Sequence, residues 1–466
     1  MVMEANAPRS RWARRAASRT SPAPGPARDS RRTTPPGVHL AAPPALAVRR
    51  WRPDAFHETL LRSAALLFLS AAAVSQRPPA EPETTEEAWH LQRLTGHWFG
   101  SRDDLEDQGF TVHLLELGDA SVIASGGRET RSTATRWLWE LGAEWDLGPR
   151  LGLAGWSLAA SAQLQRGEDG SLESGDLQVY SNIDGPDRTQ LSLLTATYAP
   201  DDSVFGVKVG KWDANDDFAL VDCGVYHLQS SFGFSPTIVG LPSYPDPAFG
   251  GALFLRSERL HVTFASFDGA TQAGVATGPR GPRTMFGAPS GWCHLAQATI
   301  GDPPDADLPT HARVGVFHHT GAFDDGRGGL SEGATGYFAN FEGPLYRPTP
   351  QVPDCERHLS GFVQYGYTAP DFSEVEHYLG AGLLWTGAAL GRPEDSIGCG
   401  VAWADVRNIP GAPHRTDGEL ACELFYRLQL PRGIVVMPDV QYIFDPGGDQ
   451  MIEDVLVFTL RIEVDF

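Results

Sequence analysis

The chain has 466 residues, 20% charged and 41% hydrophobic, enough for one large all-β body or two or three ordinary domains. Its formal net charge is −21; residues 1–77 hold 13 arginines and 4 acids, so the remainder carries 24 basic and 54 acidic residues, a net of −30. A chain this acidic excludes nucleic-acid binding through a basic surface, and its longest apolar run, Ala64–Val74, is too short to cross a bilayer as a helix.

Residues 1–48 are rich in Pro, Arg, Ser and Ala without hydrophobic period, which reads as a disordered or untranslated upstream segment with Val48 as an alternative start. Arg49, Arg50, Arg52 and Arg62 then precede the apolar run, which closes on Ala73-Val74-Ser75. Basic flank, short apolar stretch and small-x-small ending predict a signal peptide over 49–75 and export across an inner membrane.

From residue 111 onward the dominant period is two. Thr111–Leu117 opens the series, and Arg136–Leu147 sets Trp137, Trp139, Leu141, Ala143, Trp145 and Leu147 on one face against Arg136, Glu140, Glu144 and Asp146 on the other. Trp156–Gln165 alternates in the same way, and further strands are predicted at Gln190–Tyr198, Val204–Lys211, Ala252–Arg256, Leu260–Phe267 and Trp292–Ile300. Ala312–His318, Gly336–Phe341, Leu359–Tyr367, His377–Thr386, Ile397–Asp405, Leu420–Leu430, Ile434–Phe444 and Val455–Phe466 complete a count of 16, even as bacterial membrane barrels require. Tight connections (Gly148–Arg150, Pro200–Asp202, Pro431–Gly433) tend to alternate with long ones (Arg166–Thr189, Trp212–Gly251, Val406–Glu419), again as in an outer-membrane barrel. A soluble β-sandwich or propeller is the competing architecture, since alternation with polar turns also builds those. The five cysteines, Cys223, Cys293, Cys355, Cys399 and Cys422, lack metal spacing and define no disulfide pairing.

Several stretches are more specific. LTGHWFGSRDDLEDQGF (94–110), VKVGKWDANDDFA (207–219), SSFG (230–233), LPSYPDPAFG (241–250), HYLGAGLLWTG (377–387) and PDVQYIFDPGG (438–448) together resemble the OprB-type carbohydrate-selective porins, in order and spacing, from about residue 91 to the end. The chain departs from the pattern at His97-Trp98-Phe99-Gly100, where the family has an acidic residue before the tryptophan and a glycine pair after it. The resemblance implies a monomeric, closed antiparallel barrel of 16 strands over 111–466 in a bacterial outer membrane, preceded by a periplasmic segment at 76–110. It further implies passive diffusion of mono- or oligosaccharides past inward-folded loops, with outer-membrane lipid and the barrel assembly machinery as partners.

On strand parity, Lys208 faces the lumen with Lys211 at its strand's end, and Arg136, Glu140, Glu144, Glu423 and Arg427 face it from other strands. The connection from Trp212 to Gly251 is the predicted constricting loop. It contributes Asp213, Asn215, Asp217 and Tyr244, whose carboxylates, amide and aromatic face suit a sugar's hydroxyls and flat apolar surface. With acids in such excess, the pore is expected to disfavour anions, and a general or cation-preferring porin is the alternative function. An outer-membrane enzyme is the remote one, because Gly287–Gly291 (GAPSG) is not GxSxG and His318-His319 lacks a companion at zinc spacing. Neither cofactor nor metal is predicted. The last strand places Leu456, Phe458, Leu460, Ile462, Val464 and Phe466 toward lipid and Arg461, Glu463 and Asp465 toward the pore, and by position it pairs with the first strand to close the barrel. The resemblance adds a role for Phe466 in the assembly signal.

Overall fold

The computed structural model describes residues 93–466 except 202, 282–290, 303–307, 325–328, 349–356, 389–391 and 407–417. The segment 1–48, the expected signal peptide 49–75, residues 76–92 and Cys355 lie outside the described residues.

Two-sided strands can satisfy every backbone group without water only by closing on themselves, and these do. The strands are β1 (Phe110–Gly127), β2 (Thr133–Asp146), β3 (Trp156–Gly167), β4 (Arg188–Tyr198), β5 (Phe205–Trp212), β6 (Ala248–Arg256), β7 (Leu260–Asp268) and β8 (Trp292–Gly301). They continue as β9 (His311–Asp324), β10 (Leu330–Tyr346), β11 (His358–Thr368), β12 (Val375–Thr386), β13 (Ser396–Val406), β14 (Glu419–Leu430), β15 (Ile434–Phe444) and β16 (Glu453–Asp465). Each pairs antiparallel with its sequence neighbours, and β1 pairs with β16, with Asp119 opposite Arg461 and Ser121 opposite Thr459. This is the 16-stranded closed barrel expected from the sequence.

Alternation decides which face meets which solvent. In β2, Trp137 is 45% and Leu141 54% exposed on the outside while Arg136 is 1% exposed within; in β16, Phe458 and Ile462 are exposed outward while Thr459 and Arg461 are buried inward. Observed strands run past the predicted ends, as β10 does beyond Gly336–Phe341, because the barrel wall continues beyond the apolar band that makes a strand visible in sequence. The Gly148–Arg150 connection is less tight than expected: Gly148–Leu151 is a helical turn, and β3 begins at Trp156. Pro438, awkward for a strand, lies within β15 opposite Leu460 of β16, while the ladder to β14 lapses between the Phe425–Asp439 and Leu428–Val436 pairs, where a missing N–H costs no bond.

Before β1, a short helix α1 (Ser101–Glu106) lies at the end of the barrel that carries Phe466; the Leu94 N–H donates to the Asp465 carbonyl and the Phe466 N–H to that of Leu114. The four described cysteines form no disulfide. No helix among the described residues is long and apolar enough to cross a membrane.

Candidate functional site: a charged chamber beneath two inward loops

Two connections at the end opposite Phe466, 168–187 and 213–247, fold into the barrel instead of standing clear of it. Their sequences are short-side-chained and turn-forming (GEDGSLESGD, SSFGFSP), so the backbone approaches the wall closely, and wall side chains capture its polar groups. Glu419 accepts from the Leu177 and Gln178 amides (2.7 and 2.9 Å), and Glu423 from those of Leu228 and Gln229 (2.7 and 3.1 Å). Gln364 donates to the carbonyls of Ser231 and Phe232, Thr368 to that of Thr237, and Gln441 to that of Tyr180. The loops also join each other: the Asn182 N–H donates to the Leu228 carbonyl and the Ser230 N–H to that of Val179.

Arg136 fastens the first loop. Its guanidinium pairs with Asp184 and donates to Ser121 Oγ (2.8 Å) and Tyr180 OH (2.7 Å). Arg461 of β16 grips Asp119 of β1 with two bonds (2.7 and 2.9 Å), a bidentate pair within the wall, and donates one further bond to Asn182 Oδ1 of the loop (2.7 Å).

Between the loops and the Phe466 end lies a chamber of ≈ 250 Å³. Glu140, Glu144, Asp213, Asp216 and Glu463 present carboxylates to it, Arg427, Arg461 and His113 basic groups, and Tyr226 and Tyr244 aromatic rings. Arg427 is paired with Glu463 (3.0 Å), donates to Gln429 and sits 5.5 Å from the Tyr226 ring. Glu140 accepts from Ser161 (2.7 Å) and Gln163 (2.6 Å), and Asp213 from the amides of Asn215 (2.8 Å) and Tyr244 (2.6 Å). Enclosure by wall and loop pushes the Asp213 carboxyl up to about 7, against the pull of the Tyr244 and Asn215 amides. Among the described residues, no ion pair within 4 Å joins Glu140, Glu144, Asp213 or Asp216 to a basic side chain, while both arginines are committed to carboxylates.

Of the residues singled out in the sequence, the structure brings Glu140, Glu144, Asp213, Tyr244 and Arg427 together around this chamber. It sets six others elsewhere. Arg136 and Glu423 face inward but hold loops. Lys208 pairs with Asp217 (2.9 Å) over the Trp212 ring, Asp217 also accepts from Trp212 Nε1, and Asn215 is buried with its amide on the Phe218 carbonyl. Lys211 is 2% exposed, its ammonium held by the carbonyls of Thr277, Gly278 and Arg280. Within β5, Gly210 has φ +137° and a Cβ there would stand 2.1 Å from the Leu194 carbonyl; beyond it Lys211 and Trp212 are buried in succession. Tyr226, His113 and Gln163 were not singled out in the sequence; parity marks Gln163 as inward, but nothing local distinguishes Tyr226 within its loop.

One further cluster has ligand-type chemistry. Asp222, His311 and Glu342 offer atoms within 4.8 Å of one another, but the Arg313 guanidinium bridges both carboxylates and fills the place a cation would take. This is a buckle holding loop to wall.

A model of the carbohydrate-selective porins of the OprB family matches residues 130–466. The chain belongs to this family. It is 24% identical over 465 residues to Porin B of Pseudomonas aeruginosa, covering 90% of this chain and 99% of that one, and 23% identical over 438 residues to a putative porin, QuiX, of Acinetobacter baylyi, covering 80% and 93%. The high-pH structure of Pseudomonas putida OprB superposes with a TM-score of 0.71 at 21% identity, covering 81% of this chain and 99% of that one. The protein is thus a porin of the bacterial outer membrane for sugars, and family and fold are those of a channel, not an enzyme. The outward Trp, Leu and Phe side chains are its lipid-facing belt.

Proposed function

We propose that sugars diffuse passively through the chamber, that its lining selects them, and that residues 213–247 form the constricting loop. The observation that carries this reading is the convergence of Glu140, Glu144, Asp213, Arg427, Tyr226 and Tyr244 on one small space: polar groups for hydroxyls, and aromatic rings for the apolar face of a pyranose. Lys208, Lys211, Asn215, Asp217, Arg136 and Glu423 shape that path by holding the loops instead of touching the permeant. Phe466 acts in assembly, the end carrying it is periplasmic, residues 76–110 belong to that side, 49–75 is the export signal, and the functional unit is one chain.

A second reading, a cation-preferring general porin, draws support from the four chamber carboxylates that make no ion pair within 4 Å among the described residues. Liposome swelling with neutral sugars of graded size, run beside bilayer measurements of ion selectivity, separates the two. Sugars faster than unrelated neutral solutes of the same size are expected; equal rates, with strong cation preference, establish the second reading.

A further inference from the structure

The turn before α1 carries a feature that conduction does not use. Arg102 is only 4% exposed on a helix whose neighbouring side chains face solvent. Its Nη1 donates to the Gly96 carbonyl (2.9 Å), its Nη2 to the Phe466 carbonyl (2.8 Å), and its guanidinium lies 4.3 Å from the Trp98 ring centroid. With the Leu94 N–H on the Asp465 carbonyl (2.7 Å), the turn is fastened to the end of β16. Phe466 in turn sets its ring 6.0 Å from that of Trp139, which shares outward parity with the exposed Trp137 and Leu141.

The fastened turn displays two aromatics. Trp98 is 36% exposed and Phe99 110%, more than in an extended chain. Both are left-handed (φ 50° and 60°) and are followed by Gly100 at φ 90°. A side chain makes that conformation unfavourable, and an uncovered phenyl ring in water adds to the cost. Residues 94–100 carry no acid; His97 is paired with Asp103 (2.7 Å), and the carboxylates begin with α1. The turn thus presents two exposed aromatic rings on a segment without carboxylates, and through Arg102 and Phe466 it is tied to Trp139 on the lipid-facing side of β2; exposed aromatic side chains of membrane proteins gather at the edge of such a belt.

We infer that Trp98 and Phe99 form an interfacial anchor that enters the lipid leaflet beside Phe466, so that the segment before β1 is held to the membrane as well as to the barrel. Arg102 is the positioning residue: it ties the aromatic turn to the last residue of the closing strand.

The test uses the full chain in phosphatidylethanolamine–phosphatidylglycerol vesicles, its five cysteines replaced by serine and a nitroxide placed by Phe99→Cys. Leu141→Cys in the belt and Asp104→Cys on α1 serve as references. The ratio of oxygen to water-soluble nickel-chelate accessibility at position 99 is expected to lie nearer Leu141→Cys, several-fold above Asp104→Cys. A ratio matching Asp104→Cys overturns the inference, and so does exclusion of both reagents, which would mean that protein, a second copy or a partner, covers the patch. Should the cysteine-free barrel fail to assemble, Phe99→Trp in the native background serves instead: the fraction of its emission quenched by lipids brominated near the head group should exceed the parent's, and an equal or smaller fraction overturns the anchor.

Discussion

Arg136 and Glu140 stand four residues apart on the same face of β2, yet their work differs. Arg136 is sealed beneath Asp184, Ser121 and Tyr180, whereas Glu140 reaches the chamber. Arg136→Ala strands the Asp184 carboxylate, itself 3% exposed, so a loss of about 3–5 kcal/mol is expected, read as a lower temperature for the shift from folded to unfolded gel mobility. Asp213 gives a pH signature. Its carboxyl is raised to about 7 by burial, and the adjoining Asp216 carboxyl is raised as well, by burial and by the Asp213 charge, so the pair gains charge as pH rises through this range and the cation-to-anion permeability ratio should rise with it. Asp213→Asn should flatten that rise while leaving the barrel folded; an unchanged profile would assign the titration to another group.

At the scale of elements, loop 213–247 has its fixed shape because the wall is built to receive it. Glu423 on β14 takes two consecutive loop amides, and removing it leaves both buried without acceptors, at a cost of about 1–3 kcal/mol each. Glu423→Ala is therefore expected to retain the barrel but to raise amide exchange at Leu228 and Gln229 and to add open-channel current noise. Glu419 holds the other loop, and because the Asn182 N–H donates to the Leu228 carbonyl and Ser231 to Gln178, its loss and that of Glu423 should be non-additive. Of the connections at the end opposite Phe466, 128–132, 325–329 and 369–374 are short, so the sequence expectation of long loops on that side holds at 168–187 and 213–247 but not at every turn.

For the molecule as a whole, closure is the event on which everything else depends. The seam between β1 and β16 is completed by the Phe466 N–H on the Leu114 carbonyl, the Phe466 ring beside Trp139 and the Arg102 bond. Deleting Phe466 should reduce the yield of heat-modifiable, membrane-inserted protein while the fraction that inserts conducts normally; a normal yield would remove Phe466 from assembly. Charge selectivity is also a property of the whole chamber. Replacing Glu140 and Glu144 together with glutamine should lower cation preference severalfold and alter neutral-sugar flux far less, measured as reversal potential and swelling rate, because an uncharged sugar does not feel the lost charges and glutamine still offers hydrogen-bonding groups to its hydroxyls.

The alternation of Trp137 and Leu141 with Arg136 and Glu140, repeated over sixteen segments, determined the strands and their two faces, because a pleated strand has a strict period of two, while closure into a barrel instead of a sandwich came from the motifs that carry the family resemblance. The same period placed Arg461 inside and Phe458 outside. It could not separate Glu140 and Arg427, which line open space, from Arg136 and Glu423, which pin loops, because parity names a face and says nothing of what stands against it. Lys211 shows the same limit: one glycine at φ +137° interrupts the alternation, and carbonyls from a connection 66 to 69 residues away enclose its ammonium. Only the tertiary structure decided which lumen groups meet water, because that depends on where 168–187 and 213–247 cross the barrel and on loop–wall partners up to 279 residues distant, such as Asn182 and Arg461.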